Sequence, residues 1–241
     1  MRTTFVLLAA VAMPAAVTQA QVFTFGGLNL NIPDSEPSGI FDERSITSPY
    51  DTITHVAVTL TISGLGSGAF NGDLYVTLAH IESGPGGDSY LTVLVNRAGR
   101  RAADDLGYAD NGISITLDDT AGIGDVHNYR LVLNASHGVA LPGSLSGLWQ
   151  ADGRAIDPAS SGAAFDAASR TAGLGGLNGM DPNGTWRLFA ADVGEFSGGT
   201  ARLDGWSLEI SGDLPPIPEP AETAGVIGLG LGLFAVWRRR R

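Results

Sequence analysis

The chain has no cysteine and no lysine among its 241 residues. Without cysteine no disulfide can staple the fold, and thiolate metal sites and thiol nucleophiles are excluded. Without lysine there is no Schiff-base chemistry, and no glycine-rich phosphate loop of the kind that closes on a lysine. Positive charge rests on arginine alone. Histidine is scarce as well, at four residues: His55, His80, His127 and His137. No continuous apolar run reaches the roughly 18–20 residues that cross a bilayer as a relaxed helix.

What the chain has instead is glycine, at 34 residues, and acid. The formal net charge of −11 understates the acidity of the body, because five of the 14 arginines lie in terminal segments. Between residues 21 and 220, nine arginines face 24 acidic residues, for a charge near −15. Such a surface repels phosphate backbones and anionic lipid headgroups, so no nucleic-acid partner is expected. Divalent cations and neutral glycans suit it better.

Both ends carry address signals. Residues 1–20 open on Arg2, continue through an apolar run over 5–12, break at Pro14 and end on small residues up to Ala20. That is the three-part layout of a secretory signal peptide, with cleavage expected after Ala20. At the other end, residues 224–237 are 14 residues without a charge. As a helix they would extend roughly 21 Å at about 1.5 Å per residue, short for a bilayer core of about 30 Å. Arg238, Arg239, Arg240 and Arg241 follow and resist translocation, which keeps them cytoplasmic while the body is outside. The expected division is a signal peptide at 1–20, a β-sandwich at 21–212, a proline-rich linker at 213–220, and a hydrophobic helix with its arginine tail at 221–241.

Pro218-Glu219-Pro220, a Gly/Leu/Ala-rich helix and a terminal arginine cluster, in that order, resemble the PEP-CTERM sorting signal of Gram-negative bacteria. The resemblance covers about the last 25 residues. It implies an exosortase-type enzyme as partner, cleavage near the motif, transient anchoring in the inner membrane, and a final place at the cell surface or outside the cell.

In the body the hydrophobic period is two. Val56, Val58, Leu60 and Ile62 alternate with Ala57, Thr59 and Thr61; Leu74, Val76 and Leu78 with Tyr75 and Thr77. Leu91, Val93 and Val95, then Ile113, Ile115 and Leu117, then Leu131 and Leu133, read the same way. So do Trp186 and Leu188, and Trp206, Leu208 and Ile210. Strands with one apolar face bury it against a second sheet, and Gly/Asx clusters such as "SGLGSGAFNGD" supply the turns. The expected fold is all-β: an antiparallel β-sandwich, jelly-roll-like. Residues 151–183 break the rhythm and read as a long surface excursion with a turn of helix near residues 158–168.

Two stretches, "FNGDLYVTLAH" and "GTWRLFAADVGEFSGGTARLDGWSLEISG", resemble the P domain (P/Homo B domain) of subtilisin-type proprotein convertases. The residues that carry the resemblance are Gly72-Asp73-Leu74, Gly184-Thr185-Trp186, Asp192 and Trp206-Ser207-Leu208. Related modules can hold calcium, so the resemblance implies Asp73, Asp192 and Asp204 as candidate ligands. The intervening "GIGDVHNYR" and "DGRAIDP" look like a bacterial surface-protein version of the module.

Peptidase activity is not expected, since a subtilisin-type triad needs an α/β scaffold for which the body has no helical pattern. The histidines lack metal-ligand spacing and read as hydrogen-bonding surface or strand-edge residues. A second aspartate group, Asp104, Asp105, Asp110, Asp118, Asp119 and Asp125, reads as turns and solubilising charge. Trp186 and Trp206 read as core. Trp149 is read either as a stacking platform for a sugar ring or, in preference, as buried against the excursion. The function expected is that of a non-enzymatic structural or interaction module. The alternatives are a glycan-binding module, calcium-assisted or not, and a hydrolase using paired carboxylates.

Overall fold

A computed structural model describes residues 20–65, 69–194 and 199–216. The segments expected to be a signal peptide, a sorting motif at Pro218, Glu219 and Pro220, and a hydrophobic helix followed by Arg238, Arg239, Arg240 and Arg241 lie outside the described residues. No helix among the described residues is long and apolar enough to cross a membrane.

The described chain is mostly β, in two sheets. Its strands are β1 (Gln21–Ile32), β2 (Glu36–Ile46), β3 (Thr52–Leu65), β4 (Leu74–Glu82), β5 (Ser89–Asn96), β6 (Ile113–Leu117), β7 (Leu145–Trp149), β8 (Gly184–Asp192) and β9 (Thr200–Asp213). One sheet runs β1-β9-β3-β6-β7 and the other β2-β8-β4-β5. All pairings are antiparallel except β6 with β7. The sheets share one core, to which β3, β6 and β9 contribute Val58, Leu60, Ile62, Ile115, Leu117, Trp206 and Leu208, and β4 and β8 contribute Leu74, Val76, Leu78, Trp186 and Leu188. These are apolar members of the period-two pattern, which alternation placed correctly, but in β5 it fails: Leu91 is exposed and Val93, Leu94 and Val95 are buried in succession.

Leu131 and Leu133 do not follow the expectation. They lie in a short helix, α1 (Tyr129–Asn134), and both are exposed. Their spacing of two imitates a strand, but the residues turned to the interior are Tyr129 and Arg130. A second helix, α2 (Gly162–Ala167), falls inside the excursion, as expected, and Ser161 caps it by accepting from Ala164 N at 3.4 Å.

The excursion is not loose. Asp152 N donates to Leu94 O and Gly153 N to Val93 O, while Val93 N donates to Ala172 O. It thereby occupies the hydrogen-bonding edge of β5, which would otherwise be an open sheet edge, and it buries Phe165, Leu174 and Leu177. Trp149 is buried at the end of β7, its Nε1 donating to Ser146 O at 2.9 Å. It is no stacking platform.

Candidate functional site

Strand pairing brings two of the three predicted aspartates together. Register places Asp192, the last residue of β8, opposite Leu74, the first of β4, and Asp73 immediately precedes Leu74. The chain then turns tightly: Val193 N donates to Asp73 O at 2.8 Å and Gly194 N to Asp192 Oδ1 at 3.1 Å. Gly194 is required there, since a Cβ at that position would stand 2.1 Å from Cγ of Asp73. The turn after β1 closes over the same place, with Ser35 Oγ donating to Gly194 O at 2.7 Å.

Both carboxyl groups are buried, at 5% exposure for Asp73 and none for Asp192. Burial, and after it the charge of Asp73, pushes the pKa of Asp192 up to about 7. Its Oδ2 has no hydrogen-bond partner. The compensating charge comes from Arg97 on the loop after β5. Arg97 Nη2 lies 3.5 Å from Asp73 Oδ1, and its Nε donates to Gly72 O at 2.5 Å. Burial, followed by the like charge of Arg100, holds the Arg97 pKa below its ordinary value.

Asp204 is elsewhere. It sits at a bulge on β9, paired with Arg202 at 2.6 Å, beside the outer face of the other sheet. Among the described residues no group of three or more histidines, aspartates or glutamates is arranged to hold a metal. The Asp73–Asp192 pair nevertheless has the features of a hard-cation site. One buried carboxylate oxygen is unpartnered, and a second carboxyl lies close enough to raise its pKa.

A second buried titratable group surrounds His127. Its Nδ1 stands 2.9 Å from Asp152 Oδ2 and 3.1 Å from Asn96 O, and its Nε2 3.0 Å from Arg100 O. Both ring nitrogens thus face acceptors, which is the environment of an imidazolium. Burial opposes that charge, but the hydrogen bond and attraction of Asp152 outweigh it and raise the His127 pKa. Arg154 binds the other oxygen of Asp152 at 3.1 Å. His127 and His80 are therefore interior residues, against the surface or strand-edge placement expected from sequence. His80 stacks on Trp186 at 4.0 Å and bonds Asp181 O at 2.7 Å. Asp110, read as a turn residue, is likewise an interior anchor, accepting from Arg130 Nε at 2.6 Å, Tyr129 Oη at 2.7 Å and Leu141 N at 2.8 Å.

The outer face of the β2-β8-β4-β5 sheet holds rings that sequence reasoning passed over. Phe41, 59% exposed, pairs with Phe189 across β2 and β8, and Tyr75 meets Phe189 edge-on at 6.2 Å. Arg187 lies over Phe41 at 4.9 Å and is ion-paired with Glu43.

No protein-family model matches the chain, and comparison with curated proteins gives no match. Among solved structures it is similar to the serine protease of Aeromonas sobria in complex with its chaperone, at TM-score 0.41 and 14% identity over 86% of this chain. The same protease without the chaperone gives 0.38 and 15% over 84%. The chain spans 28% of the length of each. A likeness of this strength carries neither fold family nor function.

Proposed function

We propose that this chain is an exported bacterial surface or extracellular-matrix protein, with a non-enzymatic interaction domain carried between two removable address signals. The observation that supports this most is where the fold begins and closes. β1 starts at Gln21, the residue after the expected cleavage, and Gln21 pairs with Ile210 near the end of β9. Among the described residues the strands thus pair with one another from Gln21 to Asp213. The sheet orders β1-β9-β3-β6 and β2-β8-β4-β5 are those of a jelly roll with β7 added, in keeping with the resemblance to the P domain. The PEP-CTERM reading of residues 218–241 supplies the sorting step and its exosortase-type partner.

A non-enzymatic role is favoured by the way the histidines are used. Both nitrogens of His127 donate to acceptors, Asp152 and two backbone carbonyls, so neither is available as a base. Glycan binding is the second reading, favoured by the outer face where Phe41 is exposed beside the half-buried Phe189 and Tyr75, so that rings can meet the C–H faces of sugars. Calcium belongs to that reading as an aid to folding, held by Asp73 and Asp192.

The test is the intact mass of the protein recovered from culture medium and from membranes of its native host. The expected species runs from Gln21 to near Pro220. Membrane-bound chains that all retain Arg241 would overturn the sorting step.

A further inference from the structure

Nine arginines lie between residues 21 and 220, and eight of them hold a carboxylate within 4.0 Å. Arg100 is the ninth, and among the described residues it holds none. In a body with so large an excess of acid, an unpaired guanidinium is the exception that needs an explanation. Its Nε is buried without a hydrogen-bond partner, and its guanidinium lies 5.7 Å from the centre of the Phe165 ring, against α2.

Arg100 lines a half-enclosed cavity of about 270 Å³ together with Arg97, Asp105, Leu106, Ala159 and Val193. Two arginines therefore line one space, and their like charges repel. An anion between them would relieve that repulsion and give Arg100 the partner it lacks. Asp105 is fixed at the wall by accepting from Gly162 N at 2.7 Å. As a carboxylate it can also accept from a hydroxyl of a ligand. Leu106, 71% exposed, Ala159 and Val193 supply apolar surface beside these polar groups.

We propose that this cavity binds a hexuronate, a single carboxylated sugar unit carried by an otherwise neutral glycan. The sugar carboxylate meets Arg100 and Arg97, a ring hydroxyl donates to Asp105, and the C–H face of the ring rests on Leu106. An acidic peptide side chain offers the carboxylate but lacks the ring hydroxyls that would use Asp105. A polyuronate is disfavoured by the body charge near −15, which repels a dense polyanion. The ligand rests on the reading of the body as a surface interaction module only for the setting in which such a glycan is met.

The experiment is calorimetric titration of the full-length chain, kept in mild detergent, with D-glucuronate, D-glucose and N-acetylglutamate amide. Glucuronate is expected to bind with a Kd on the order of 1 mM, as befits so small a ligand. Glucose and the glutamate amide should each bind at least about tenfold more weakly, the loss of one charge-assisted contact. Arg100→Gln, which breaks no ion pair of the fold, should weaken glucuronate about tenfold, and Arg100→Lys by less. Melting curves establish that both variants are folded. Absence of glucuronate binding, equal binding of glucose, or an unchanged Kd in Arg100→Gln would overturn the site. Tighter binding of the glutamate amide would overturn the sugar assignment in favour of a peptide. Glucuronate binding by a chain whose termini prove unprocessed in the host would leave this site standing and remove the sorting reading alone.

Discussion

Nδ1 of His127 lies 2.9 Å from Oδ2 of Asp152 in a place where the two side chains are 4% and 0% exposed. The pair joins the turn before α1 to the start of the excursion, and Arg154 closes it from the other side. It is a buried polar link between the rest of the fold and residues 151–183.

Breaking that link should be costly. Asp152→Asn leaves an imidazolium facing two backbone carbonyls without its counter-charge, and the expected loss is about 3–5 kcal/mol. The pH dependence has a definite sign. The His127 pKa is raised, so its contribution is complete below about 6.5, its ordinary value, and is lost as pH rises through the higher folded value. Melting temperatures between pH 6 and 9 should therefore fall more steeply for the wild type than for His127→Gln.

Asp192 acts in the same direction through a different group. Its folded pKa of about 7 exceeds the ordinary 3.8, so its contribution is present below pH 4 and lost as pH rises through 7. The isosteric Asp192→Asn should raise stability at pH 8 by up to about 4 kcal/mol and change little at pH 4. Chemical denaturation at both pH values separates this from the His127 effect.

Calcium tests the same carboxyl pair. If the ion binds Asp73 and Asp192, added calcium should raise the melting temperature of the wild type at pH 8. It should not do so for Asp192→Asn, and Asp204→Asn should behave as wild type. Absence of a shift in the wild type would remove calcium from the account.

Leu133→Asp checks the helix at residues 129–134. On an exposed helical face the change should stay within about 0.5 kcal/mol. A loss of several kcal/mol would return Leu133 to a buried strand.

Phe41→Ala should leave stability within about 0.5 kcal/mol, because the ring is exposed. If the outer face stacks sugars, retardation in gels containing a neutral polysaccharide should weaken about tenfold, the effect of losing one anchoring ring. Unchanged retardation would clear this face of a binding role.

Much of the fold was legible because a half-buried strand repeats every two residues. Val58, Leu60 and Ile62, or Trp206, Leu208 and Ile210, could be assigned to an inner face before any pairing was known. Leu131 and Leu133 misled because two leucines two apart satisfy that period without specifying a strand, and six residues are too few to reveal a helical one. The candidate site was legible in part. Asp73 and Asp192 carried a motif, but Asp204, implied alongside them, lies at a bulge in the other sheet. The stretch "RAGRR" at residues 97–101 held three of the body's nine arginines and was the available signal for Arg97 and Arg100.

By itself the sequence determined the class of the fold and the acidity of the body, because alternation and charge are local properties of the chain. Only the tertiary structure decided which charges meet. Asp73 and Asp192 are 119 positions apart and become neighbours through the register of β4 on β8. His127 finds Asp152 because the excursion folds back onto the edge of β5. Arg100 is singled out only once the other arginines have found their carboxylates. Burial and partnership are properties of the packed whole, and those two quantities set the pKa values and the unpaired charges from which function is read.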